Sequence, residues 1–471
     1  MKKTKLTITL VILTIFSLMF ISCIEEKTTY KNFTFPQSEP SSLQKTETLT
    51  LPPAGYTDHG KTETEIQTFS SPDGLCQIKK MPSYYDVYLD YKKGTPSQTA
   101  AAYANTIKLA YPDYEKVLEP YLFEIFRSFL GVNAETYTSI LPRMTALLST
   151  LPAPYRAEIE TFAQTVSAGT TGFLENGKLS YEEAILLQMI PDALRGTACS
   201  ALGLWGSKTE SDKTIMCRNL EWILGSENQL CKIHAVVHMK NKNHSITNIT
   251  CLGINGILTA INDSGVFAAI LDVGSVDKNY EYENKECYTY ALRYALENFD
   301  TAELVGNYMV QKSGNFTFSH NIALSDKSGA YCAEDAVASL QNDGKGYSIL
   351  RNNKTPLIPG LVWENPDSLC ILNSFATQNN QDFFTGNDSN YVRFVKYNNL
   401  VKSQDKFSLA EVKELLTSEV VDQKKVVNIH SKGVFHTVII DYATKTIHTA
   451  FTGSEGVQNK PEFVEIPFPM L

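Results

Sequence analysis

The 471-residue chain has no Cys-x-x-Cys pair, no Cys/His cluster at metal-ligand spacing, no dinucleotide or phosphate-loop motif, no internal repeat and no basic block beyond its first residues. The first two absences exclude zinc modules and dithiol redox motifs, so neither a metal site nor a cofactor is expected. Without a glycine-rich loop ahead of a helix, nothing predicts a cradle for a nucleotide. A formal charge of −9 with no basic patch argues against nucleic acid as a partner. His234, His238, His320 and His436 fall in strand-like runs without metal-pair spacing and are read as structural histidines. What is present is apolar: 43 % of residues are hydrophobic, enough for a substantial core, in one large unit or in two or three domains.

Nine cysteines are spread at wide intervals. Four of them, Cys217, Cys251, Cys332 and Cys370, lie in apolar strand-like runs, where a thiol is a small buried hydrophobe. Residues 1–22 carry Lys2, Lys3 and Lys5 and then an apolar run ending in "MFISC", the pattern of an export signal. A cysteine after a small residue at that place resembles a bacterial lipoprotein signal, with Cys23 as the lipid attachment site; an uncleaved anchor helix is the alternative. Either way the chain is expected to be exported and held at a membrane. Removing residues 1–22, with three lysines and no acid, takes the formal charge from −9 to −12.

Residues 23–70, rich in Thr, Ser, Glu, Lys and Pro, read as a flexible tether. Residues 71–198 read as mainly helical. "TPSQTAAAYANTIKLAY" opens on a Thr-Pro cap and stops at Pro112, and Ser180 with Glu183 forms a capping box at "LSYEEAILLQMIPDAL". From Thr197 the period shortens to β-type runs, interrupted by helices near 286–312 and 389–416, and the chain closes on the hairpin "VFHTVIIDYATKTIHTAF". Strands, two helices, then strands suggest an α+β architecture of sheets with helices on their outer faces.

The chemistry gathers in "ACSALGLWGSKTESDKTIMCRNLEW". A turn over "SKTESDK" folds the strand after Cys199 back on itself, bringing residues 217–221 beside it. Arg218 then sets a permanent positive charge near the sulfur and favours the thiolate. Glu221 is placed to accept hydrogen bonds from an ammonium. One arises at Cys199 if the 198–199 peptide bond is cut, and an α-amine with a pKa near roughly 8 is a competent base for its own thiol.

These residues resemble the N-terminal-nucleophile (Ntn) hydrolases of the cholylglycine hydrolase and acyl-CoA:6-aminopenicillanate acyltransferase type. There a catalytic Cys opens a hairpin whose return strand reads Gly-Arg-Asn-Leu-Asp-Trp. "GILTAINDSGVFAAILDVG", "HNIALSDKSGAYCAED", "ILNSF", "SNYVRFVKYNNL" and the closing hairpin match the family's later segments in order. Here Glu221 replaces the Asp, Ala198 precedes the nucleophile where Gly or Met is usual, and no histidine follows Asn373. The resemblance implies a four-layer αββα sandwich over residues 199–471, preceded by a helical propeptide or α chain. It implies Cys199 as nucleophile and amine base, Arg218 as thiolate stabiliser and Glu221 as holder of the α-ammonium. Asn373 becomes an oxyanion donor, Arg393 closes the polar network, and the backbone near Asp272 supplies a second donor.

The expected activity is hydrolysis, or acyl transfer, of a small linear amide with an apolar acyl group, after self-cleavage between Ala198 and Cys199. Two alternatives stay open: a catalytically silent lipoprotein that binds a hydrophobic ligand, and a lipid-ester hydrolase similar to the phospholipase B-like branch. Sequence leaves the oligomeric state open.

Overall fold

The structure is a computed structural model. It describes residues 57–58, 63–130, 140–194, 199–273, 282–312, 314–337, 347–377, 388–417, 419–421, 426–456 and 461–469. The signal segment, Cys23 and the junction residues 195–198 lie outside the described residues.

The described chain opens with β1 (Thr57–Asp58), β2 (Gln67–Ser70), β3 (Cys76–Lys80) and β4 (Tyr85–Asp90). The first two fall in the stretch read as a tether. β2 is a sheet-edge strand with mostly exposed side chains, so its composition carries no apolar signature.

Helices follow: α1 (Pro96–Ala110), α2 (Tyr114–Leu130), α3 (Ile140–Thr150), α4 (Ala153–Ser167) and α5 (Tyr181–Leu194). Their starts are written in the sequence. Thr95 accepts from the Gln98 N–H and the Gln98 side chain accepts from the Thr95 N–H, a reciprocal box that satisfies two otherwise unpaired donors. Ser180 and Glu183 repeat it at the head of α5, at 2.8 and 3.2 Å.

The remaining chain supplies β5 (Cys199–Leu204), β6 (Ile215–Glu221), β7 (His234–Lys240), β8 (Ile246–Cys251), β9 (Thr259–Asn262) and β10 (Phe267–Asp272). Helices α6 (Tyr288–Asn298) and α7 (Ala302–Gln311) come next. They precede β11 (His320–Asp326), β12 (Gly329–Ala336), β13 (Tyr347–Arg351) and β14 (Ser368–Ile371). After α8 (Asp388–Lys402) and α9 (Leu409–Leu416) the chain ends in β15 (Glu419–Val421), β16 (Val426–Asn428), β17 (Val434–Asp441), β18 (Thr446–Phe451) and β19 (Glu462–Pro467).

One sheet has seven strands in the order β1-β19-β18-β17-β6-β5-β14; the other has ten, β13-β12-β11-β10-β9-β8-β7-β4-β3-β2. The sheets face each other where β5 meets β10 and β12. Helices α8 and α9 cover the outer face of the first, α6 and α7 that of the second, which makes a four-layer αββα sandwich. Two cores result. One, with Leu202, Cys217 and Ile439, lies under Phe394, Tyr397 and Leu415 of the outer helices; the other fills the space between the sheets and beneath α1–α5.

The helical segment is joined to the sandwich through strands as well as helices. β4 pairs in parallel with β7, Val87 opposite Val237, so residues before and after Cys199 share the ten-stranded sheet. Tyr114 donates to the Leu252 carbonyl at 3.1 Å, and Gly253 N–H donates to Tyr103 at 2.9 Å. Gly253 has φ +83° and a Cβ there would lie 2.1 Å from the Tyr114 hydroxyl, so the close approach of α1 and α2 needs glycine.

Candidate active site

β5 and β6 pair antiparallel with Cys199 opposite Leu220 and Ala201 opposite Arg218, the hairpin read from the sequence. Side chains alternate across a strand, so Arg218 enters the space between the sheets while Asn219 turns to the outer layer, donating to the carbonyls of Leu416 and Ile429. Arg218 Nη2 donates to the Cys199 sulfur at 3.1 Å and to the Ile270 carbonyl at 2.9 Å. Its Nη1 donates to the Leu258 carbonyl at 3.0 Å and to Thr259 Oγ1 at 2.6 Å.

The backbone nitrogen of Cys199 donates to Asn373 Oδ1, just past the end of β14, and Asn373 Nδ2 donates to the Asp272 carbonyl at 2.6 Å. From α8, Arg393 Nη1 reaches the Cys199 carbonyl at 3.0 Å and Glu221 Oε2 at 3.4 Å, while Nη2 reaches Asn373 Oδ1 at 3.3 Å. Asn390, one turn earlier on the same helix, accepts a second bond from that nitrogen. Ser431 donates to Glu221 Oε1.

All five candidate residues, Cys199, Arg218, Glu221, Asn373 and Arg393, therefore meet in one buried network. Two differ in detail from the expected arrangement. Asn373 presents its carbonyl oxygen to the Cys199 nitrogen, and the Glu221 carboxylate engages Arg393 and Ser431. Ser431 and Asn390 were missed in the sequence: a loop serine carries no signal, whereas Asn390 could have been found by its i, i+3 spacing from Arg393.

Burial decides the electrostatics. The Cys199 side chain, in a residue only 2 % exposed, has its thiol pushed up by desolvation; Arg218 is the main opposing influence, followed by the hydrogen bond to the Glu221 carbonyl. Desolvation also raises Glu221, with Arg393 and Ser431 pulling it back. The thiol is thus held protonated beside a cation.

Leu220 and Leu258, neighbours of Cys199 and Arg218, line an apolar cavity of about 20 Å³ with Tyr121 of α2, Ile190 of α5 and Phe435 of β17. It has room for about one water. A wider groove of about 440 Å³ lies between the β3–β4 turn and the end of β18, lined by Tyr84, Lys232, His234, His430 and Phe451; none of the five candidate residues lines it. The eight described cysteines are free and buried, in keeping with the reading of Cys217, Cys251, Cys332 and Cys370 as small hydrophobes. Among the described residues no helix is long and apolar enough to cross a membrane.

No protein-family model and no curated protein matches the sequence. Among solved structures, a Caenorhabditis elegans ortholog of N-acylethanolamine-hydrolyzing acid amidase is 14 % identical over 51 % of this chain and 92 % of its own, with a TM-score of 0.34. A conjugated bile acid hydrolase from Clostridium perfringens, solved as a mutant, is 14 % identical over 54 % of this chain and 89 % of its own, at 0.32. Penicillin V acylase from Agrobacterium tumefaciens is 13 % identical over 54 % and 83 %, at 0.33.

Proposed function

We propose that the chain is a cysteine amidohydrolase or acyltransferase of the Ntn type, acting on a small linear amide with an apolar acyl group through a thioester at Cys199. The observation that carries the reading is the guanidinium of Arg218 at 3.1 Å from the Cys199 sulfur, in a site where the nitrogen of the same residue is bound by Asn373. A cation on the sulfur and a polar cage on its own nitrogen are what a nucleophile with an internal base requires.

Activation comes first. The Cys199 thiol adds to the carbonyl of residue 198, the C–N bond breaks, and the resulting thioester is hydrolysed by water. This leaves a carboxylate on residue 198 and a free α-amine on Cys199. In turnover that amine takes the thiol proton as sulfur attacks the substrate carbonyl. Asn373 Nδ2 and nearby backbone N–H groups donate to the oxyanion, a contribution of about 3–4 kcal/mol per donor elsewhere. Collapse expels the amine, which leaves with the proton, and the α-amine then deprotonates water, or another acceptor, to release the acyl group. Arg393 holds the nucleophilic residue by its carbonyl, and the Glu221 carboxylate balances the charge that the ammonium introduces.

The apolar run before Cys23 supports a lipid anchor on an exported protein, and hence a membrane-side substrate pool.

Intact mass and N-terminal sequencing of signal-less protein, wild type beside Cys199→Ala, test the reading. Two fragments in wild type alone, the second starting Cys-Ser-Ala-Leu, are expected. A single uncut chain in both would remove the base and favour a ligand-binding protein.

A further inference from the structure

The four hydrogen bonds of Arg218 do not explain why its fork keeps one orientation. Three go to a thiol and two backbone carbonyls, and the fourth goes to Thr259 Oγ1, which is itself 3.0 Å from His436 Nε2. Arg218, Thr259 and His436 are each fully buried, and Nδ1 of His436 has no hydrogen-bond partner among the described residues.

The proton positions follow from counting. A guanidinium only donates, so Thr259 Oγ1 accepts from Arg218 and has one hydrogen left. If His436 carried its proton on Nε2, that hydroxyl hydrogen would have no acceptor among the described residues and Nδ1 would be an idle acceptor. With Nε2 bare, the hydroxyl donates to it and only Nδ1–H is unsatisfied. Each buried orphan costs about 1–3 kcal/mol, so the second arrangement wins. Burial, reinforced by the charge of Arg218 and then by His234, holds His436 well below its ordinary pKa and therefore neutral.

His436 reaches this place because of a β-bulge. The register between β17 and β6 shifts between Val434 and His436. Two consecutive side chains then face the opposite sheet: Phe435 stacks on His234 of β7 at 4.0 Å, and His436 meets Thr259 of β9.

We infer that Thr259 and His436 are positioning residues that act through Arg218: the bare imidazole nitrogen turns the threonine hydroxyl so that its lone pair faces Nη1, which fixes the fork with Nη2 on the Cys199 sulfur. The inference rests on the reading of Cys199 as the nucleophile. The charged groups that face the thiol are Arg218 and Glu221 of β6 and Arg393 of α8. Thr259 and His436 change none of these charges; they set the distance of one.

The test is the pH dependence of Cys199 alkylation by iodoacetamide in the full chain, followed by peptide mass spectrometry. Arg218→Gln defines the full shift. Thr259→Val and His436→Leu are expected to raise the midpoint by about one pH unit, about tenfold slower labelling at pH 7. Thr259→Ser and His436→Gln, which keep the hydroxyl and an acceptor at the same reach, are expected to behave as wild type. A midpoint unchanged in Thr259→Val while Arg218→Gln shifts it overturns the inference and leaves the nucleophile reading standing. Equal shifts in Thr259→Ser and Thr259→Val overturn it too, because the hydroxyl would then be irrelevant. A wild type that matches Arg218→Gln, or whose Cys199 never labels, fails the nucleophile reading and the inference with it.

Discussion

Glu158 of α4 and Arg293 of α6 form a two-pronged ion pair, 2.7 and 3.1 Å, with both side chains at most 2 % exposed. The guanidinium lies 5.2 Å from the Tyr91 ring and 5.0 Å from the Tyr155 ring, and Asn255 donates to Glu158 at 2.7 Å. This clasp joins the segment before Cys199 to the sandwich after it.

Glu158→Gln leaves Arg293 buried with half its charge balance gone, since Glu297, at 2.9 Å, is its one remaining acidic partner among the described residues. Removing one partner of a buried pair costs about 3–5 kcal/mol. Urea denaturation of the variant should show a loss of that order. In a self-cleaved wild type the two fragments should elute together on gel filtration.

Asp192 on α5 accepts from the Thr289 N–H and hydroxyl at the head of α6, and burial raises its pKa to about 7. The folded state therefore holds a proton between about pH 4 and 7 that the unfolded chain has lost, so this group withdraws stability as pH rises through that window. Asp192→Asn should remove about 3 kcal/mol of that loss. Comparing wild type and variant in urea at pH 4.5 and 7 isolates it.

His234 acts with the opposite sign. Desolvation takes its pKa down to about 3, against the Thr452 carbonyl that binds Nε2 at 2.9 Å. As pH falls below about 6.5 the unfolded chain takes up a proton first, and stability is lost until about pH 3. At pH 5 the deficit from this residue is about 2 kcal/mol. His234→Phe should start less stable at pH 7 and lose less on acidification, as read from thermal melts at both pH values.

Gly253→Ala introduces both a disfavoured φ and a clash with the Tyr114 hydroxyl. Strain of this kind costs about 1–3 kcal/mol, which in a chain of this size lowers the melting temperature by about 1–3 °C, a shift that scanning calorimetry reads.

Cys23→Ala addresses the proposed anchor. In a bacterial host, incorporation of labelled palmitate and recovery in the membrane fraction should both disappear in the variant and persist in wild type.

The hairpin of Cys199 and Arg218 was legible because both residues lie in one local motif, and antiparallel pairing across a short turn fixes their proximity. The caps at Thr95 and Ser180 were legible for the same reason. His436 was read as structural, and nothing in "VFHTVIID" points to Arg218. Its contact depends on a bulge in β17 and on how two sheets stack, neither of which leaves a trace in local pattern. Residues 67–70 were hidden differently: an edge strand with mostly exposed side chains looks like linker.

The parallel pairing of β4 with β7 orders events in time. A piece ending at residue 198 would, if made alone, carry β4 with one bare edge, and a piece starting at Cys199 would carry β7 equally bare. Unpaired edges invite aggregation. The proposed scission at the 198–199 bond would therefore follow folding rather than precede it. Two separately produced halves are a poor route to the sandwich.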